Sequence, residues 1–348
     1  MKKLLVLLAA GAFVLGLTLP AMSADWSFYG SSRMSTFFDS DSEEVNPALG
    51  GNDDDDLTWS LQGNSRIGAN VKAGNIGGRF EYGSGPNLRL LYGTWNFGAG
   101  ELLVGQSYTP WNYFISNQVY AGDQDLLPTG GMYDGRRPMI QLSSHGFKLA
   151  LVQPNTATLA GYGQVDTDTS IPKIEVSYAF NAGPAKLTLF GLYNTFDAVT
   201  ATNDEEGVDS HAFGFGFMMP FGAAYLNGNI WMGQNIGASG IWNFGADDPQ
   251  WDGTDVVDND TTGYALVAGF KMSDAISFEL GYGATMSELD VSGADEDEAQ
   301  AMYAQATINI AKGFTVTPEI GKIDYKEDAA GNDQGDTTYF GAKWQINF

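Results

Sequence analysis

Few side chains in this sequence are equipped for covalent chemistry. There is no cysteine, which removes thiolate nucleophiles and thiolate metal sites. The two histidines are His145 and His211. Ser210 directly precedes His211, and neighbours in an extended strand point to opposite faces, so they cannot act together as nucleophile and base. No enzyme activity is expected. Gly214-Phe215-Gly216 matches part of a dinucleotide fingerprint, but it sits in an alternating segment with no helix after it, and no cofactor is expected. What remains is electrostatic chemistry. Asp53, Asp54, Asp55 and Asp56 offer the oxygen ligands that calcium favours, without EF-hand spacing; a solvated, self-repelling loop is the preferred reading over a surface calcium site. Elsewhere, arginines recur inside segments of alternating polarity.

Those segments are strands. From Leu57 to Lys72 the odd positions include Leu57, Trp59, Leu61, Ile67 and Val71, and the even ones Thr58, Ser60, Gln62, Asn64, Arg66 and Lys72. Sixteen residues of alternation exceed the roughly five or six of a soluble strand and suit a tilted membrane strand of about nine to eleven with an extension. The C-terminus repeats the pattern, with Phe340, Ala342, Trp344, Ile346 and Phe348 on one face and Lys343, Gln345 and Asn347 on the other. The spacing predicts strands near 26–38, 57–72, 77–82, 88–97, 101–108, 136–143, 146–153, 171–180, 185–195, 208–219, 222–234, 261–271, 275–285, 299–311, 314–325 and 337–348. That is an even sixteen, as a single-chain membrane barrel requires. Tight turns alternate with mostly long, acidic connections, 83–87 being the one short exception. Arg33, Arg66 and Arg137 fall on polar faces, Arg136 has the opposite parity, and Arg89 lies in a strand with two mixed faces.

The N-terminus gives the compartment. Lys2 and Lys3, the apolar run Leu4 to Leu19 and the small residues of Pro20-Ala21-Met22-Ser23-Ala24 predict a secretory leader over 1–24, cleaved after Ser23 or Ala24. No later stretch has the length and apolarity of a spanning helix, which leaves an all-β transmembrane barrel over 25–348. Sixteen strands enclose water, so polar faces line a channel and apolar faces meet lipid. The formal charge is −25, or −27 once Lys2 and Lys3 leave with the leader, which argues against nucleic acid as a partner. Aromatics at 13% and 45 glycines suit aromatic girdles and tight turns.

At Tyr29-Gly30-Ser31-Ser32-Arg33, Asn64-Ser65-Arg66-Ile67-Gly68, Asn87-Leu88-Arg89-Leu90-Leu91-Tyr92-Gly93 and Gly98 to Gln106, with the terminal Phe348, the chain resembles the general bacterial porins. The resemblance implies an outer-membrane location among lipid and lipopolysaccharide, a homotrimer and a passive diffusion channel for small hydrophilic solutes. It also implies that the third outer loop, here 109–135, folds inward and sets Asp123, Asp125 and Asp134 against a basic wall of Arg33, Arg66, Arg89 and Arg137. Gln106 stands where the family usually has arginine, and the short 83–87 loop lacks the length of a trimer latch. The acidic loops lead to an expectation of mild cation preference. A sugar- or anion-selective channel and a non-conducting adhesive barrel are the alternatives; 109–135 holds no lysine, which an anion-specific constriction would want.

Overall fold

The structure is a computed structural model that describes residues 24–45, 54–85, 87–245 and 247–348. The expected leader, apart from Ala24, lies outside the described residues, as does Asp53.

The alternating segments form sixteen barrel strands. These are β1 (Asp25–Asp41), β2 in two pieces (Asp54–Leu61 and Arg66–Ala73), β3 (Ile76–Tyr82), β4 (Leu88–Asn96), β5 (Glu101–Tyr108), β6 (Arg136–Ser144), β7 (Phe147–Val152) and β8, also in two pieces (Gln164–Asp168 and Lys173–Ala182). They continue as β9 (Ala185–Thr200), β10 (Glu205–Phe221), β11 (Ala224–Gln234), β12 (Asn259–Lys271), β13 (Ile276–Leu289), β14 (Asp297–Ala311), β15 (Phe314–Asp324) and β16 (Asp336–Asn347). Each strand pairs antiparallel with the next, and β16 closes on β1 from Ser31↔Asn347 to Asp41↔Thr337. Gly30 and Phe348 add a reciprocal main-chain pair at the seam. Closure gives every barrel strand two neighbours, as hydrocarbon demands of main-chain amides, although the pieces Asp54–Leu61 and Gln164–Asp168 each pair along one edge only.

The packing is inside-out. Trp59, Phe213 and Leu280 are 72%, 62% and 60% exposed on the outer face, whereas Gln141, Thr188, Asn229 and Thr285 are buried on the inner one. Expected strand boundaries agree with the barrel to within a few residues, with two local differences. The predicted continuous strand 57–72 is interrupted over 62–65, and the expected 154–170 loop contains the first piece of β8. Asp54, Asp55 and Asp56 also belong to β2, opposite Asp41, Ser40 and Asp39. Strand alternation therefore sends Asp55 to the face opposite that of Asp54 and Asp56, and no metal-holding group of His, Cys, Asp or Glu occurs among the described residues.

The hydrophobic core lies inside the barrel, between its wall and the 109–135 segment. Trp111, Met132 and Leu126 from that segment pack with Phe37, Phe190, Trp231, Tyr303 and Tyr339 of the wall. Part of the aromatic content thus serves the interior instead of the outer girdles.

Candidate pore constriction

Three wall carboxylates hold the 109–135 segment by its backbone. Glu175 of β8 accepts from the Trp111 N–H at 2.8 Å, and Glu279 of β13 from that of Asn117 at 2.8 Å. Glu319 of β15 accepts from Val119 and Tyr120 at 2.7 and 3.1 Å. A loop buried against a wall must find partners for its amides, and these glutamates supply them. Glycine lets the backbone come close: a Cβ on Gly283 would sit 2.0 Å from the Thr129 carbonyl oxygen. Far along the segment, Asp134 is enclosed between Lys173 and Arg137, each 2.8 Å away.

The tip of the segment reaches the opposite wall. Ala121, Gly122, Asp123, Asp125 and Leu126 all have positive φ, a concentration of left-handed backbone that only a firmly determined tip sustains. The determinants are visible. Asp123 pairs with Arg33 of β1 at 2.5 Å and with Lys343 of β16 at 2.9 Å. The interruption in β2 turns Asn64 inward, where its amide donates to the Gly122 carbonyl and to the Asp123 carboxylate, both at 2.8 Å.

Beside this tip is an opening lined by Arg33, Arg66, Arg89, Arg136 and Lys343, by Asp123 and Asp125, and by an aromatic group from Tyr108, Phe114, Tyr133 and Trp242. Five cationic side chains therefore face two carboxylates. Burial, reinforced by the Asp123 carboxylate and opposed by Lys343, pushes the Asp125 carboxyl well above the usual carboxylate range. Behind the lining, Glu81 is buried and gathers Arg89 at 2.8 Å, Arg79 at 2.9 Å and Arg66 at 3.6 Å. Arg136 has no carboxylate partner among the described residues; it donates to Tyr108 Oη at 3.1 Å and lies over that ring.

Of the residues singled out in the sequence, Arg33, Arg66, Arg89, Asp123 and Asp125 come together here. Arg137 and Asp134 do not: they pair with each other, and Arg137 also donates to Asn155 and to the Gly240 carbonyl. Arg136 lines the opening in place of Arg137, because it follows left-handed Gly135 at the very start of β6, before alternation governs direction. Gln106 donates to the carbonyls of Leu88 and Arg89 and so braces β4. Sequence reasoning missed Glu81, Glu175, Glu279 and Glu319. Their only signal is an acidic side chain on a strand's inward register. His145 lies in an exposed turn and His211 rests against Phe213, and neither lines the opening.

No protein-family model matches the sequence, and no curated protein matches it. Solved structures do match. The outer membrane channel DcaP of Acinetobacter baumannii is similar with a TM-score of 0.73 at 15% identity, over 93% of this chain and 97% of that one. The chain has the fold of the outer-membrane porins. Salmonella typhi OmpF, in a complex with daunomycin, is similar with a TM-score of 0.62 at 12% identity, over 94% and 99% of the two chains. The anion-selective porin from Comamonas acidovorans gives 0.59 at 13% identity, over 94% and 100%. At such identities the porin fold is what is shared, so the function has to be argued from this chain's own opening.

Proposed function

We propose that this porin-fold chain is a passive diffusion channel of the bacterial outer membrane, admitting small hydrophilic solutes through the opening beside Asp123 and favouring anions. The observation that carries the reading is the lining of five cationic against two acidic side chains inside a closed barrel. Charge close to a narrow passage acts on a permeant more strongly than charge at a wide mouth, where salt screens it within about 10 Å. The lining therefore outweighs the acidic outer loops on which an expectation of cation preference rests. No energy input or cofactor is needed.

A homotrimer within outer-membrane lipid and lipopolysaccharide is part of the same proposal. The outer piece of β2, Asp54–Leu61, pairs with β1, and among the described residues no strand pairs with its other edge. That edge carries exposed Leu57, Trp59 and Leu61, and an open edge with apolar side chains favours a protein neighbour. Among the similar structures is a trimer form of OmpT from Vibrio cholerae.

Liposomes loaded with the purified protein test the channel reading. Swelling in isosmotic small sugars is expected at rates that fall with solute size. Liposomes as tight as protein-free ones would refute it and favour a non-conducting barrel.

A further inference from the structure

The opening has a second wall that the 109–135 segment does not supply. After β11 the chain re-enters the barrel. Ile236, Ala238 and Ser239 are fully buried, and Ile241 is nearly so. Carbonyls along this stretch are caught by side chains: Lys173 of β8 donates to Ser239 O at 2.8 Å, Arg137 of β6 to Gly240 O at 3.1 Å, and Asn155, from the connection after β7, to Ala238 O at 3.1 Å. The stretch is then strapped to the 109–135 segment by main-chain bonds, Trp242 N–H to Tyr133 O at 2.9 Å and Phe244 N–H to Pro128 O at 2.8 Å. The outcome is one projecting side chain. Trp242 keeps 39% of its surface exposed, packs edge-to-face on Tyr133 with centroids 5.9 Å apart, and lines the opening with Arg136 and Lys343.

We infer that Trp242 is a specificity-determining residue of the channel, its indole setting the size of solute that passes. This rests on the channel reading and refines it. An indole is large and rigid, with two side-chain torsions. Here its backbone is fixed on one side by the bonds to 238–240 and on the other by the 109–135 segment. The strap also explains Arg137 and Lys173, which the opening itself does not use: they hold the 236–241 stretch in place. Trp242 therefore narrows the passage whatever the permeant's charge, while the arginines act on charge.

The absence of native cysteine makes the test clean. Single variants Trp242→Cys and Trp95→Cys are compared, Trp95 being an exposed residue of the outer face. After labelling with a bulky neutral methanethiosulfonate, checked by mass spectrometry, conductance through Trp242→Cys is expected to fall to about half or below, and Trp95→Cys to be unaffected. Trp242→Ala should raise conductance and let a trisaccharide swell liposomes that exclude it with the parent protein, and Trp242→Phe should restore most of the exclusion. Complete labelling with unaltered conductance, or an unchanged size limit in Trp242→Ala, would overturn the inference while leaving the channel intact. A parent protein without conductance would instead remove the channel reading itself.

Discussion

Arg33 and Asp123 stand 90 positions apart in the chain, and their guanidinium and carboxylate meet at 2.5 Å inside the barrel. Lys343 joins them from the last strand. One aspartate thus ties the tip of the inward loop to the strands that close the barrel. It also neutralises part of a lining that is otherwise cationic.

Replacing that aspartate should therefore have two separable effects. Asp123→Asn leaves Arg33 and Lys343 without their carboxylate and makes the lining more positive. The reversal potential in a salt gradient should move further in the anion direction. Amide hydrogen exchange at 119–126 should also quicken as the tip loosens. A reversal potential that stays put would show that Asp123 is remote from the ion path.

Selectivity should depend on pH through Asp125. Its carboxyl is raised by burial and by Asp123, so it holds its proton at pH values where an ordinary aspartate is charged. The sign follows directly: raising the pH ionises Asp125, subtracts positive charge from the lining and lowers anion preference. A titration of reversal potential should show this decline, and Asp125→Asn should flatten it. A rising anion preference, or a decline that Asp125→Asn leaves intact, would contradict the assignment.

Glu81 is the most exacting electrostatic position, since one buried carboxylate serves Arg66, Arg79 and Arg89. Glu81→Gln leaves the three guanidiniums without a carboxylate, with the Tyr29 and Tyr108 hydroxyls and the Asn64 carbonyl as their remaining polar partners. Removing one partner of a buried pair costs about 3–5 kcal/mol, and channel water brings this toward the lower end. Thermal unfolding in detergent should show a lower midpoint for Glu81→Gln than for the parent. Equal midpoints would mean that the cluster is well solvated.

Gly283 tests the seat of the loop. A methyl group there would meet the Thr129 carbonyl, and overpacking of this kind costs about 1–3 kcal/mol. Gly283→Ala should fold into the same barrel, because the outer face is untouched, but with the loop displaced and a changed unitary conductance. An identical conductance would place the loop elsewhere.

The fold was legible because water and lipid impose a two-residue period on every strand. Leu57, Trp59 and Leu61 announce the outer face whatever lies within. The site was legible only in part, because its geometry depends on contacts that no local pattern encodes. The break in β2 is held by Asn64 bonding to Gly122, 58 positions away, while the sequence marks it only by Gly63 and Ser65, where the outward positions lose their apolar side chains. Parity put Arg137 on an inward face, yet the charge of Asp134 and the carbonyl of Gly240 claim it. Glu279 and Glu319 read as water-facing strand residues until the loop amides are laid against them. Ile236-Gly237-Ala238-Ser239-Gly240-Ile241-Trp242, read as part of an outer loop, held an apolar run that marks its return to the interior. Net charge and the opening point in different directions: the acidic loops dominate the count, but the charged residues around the opening are mostly basic.

The zero-current potential of the purified protein in a planar bilayer, across a potassium chloride gradient, measures that balance directly. A potential of anion-selective sign, reduced in Arg66→Ala and Arg136→Ala, is the predicted result. A cation-selective potential in the parent protein would contradict the account.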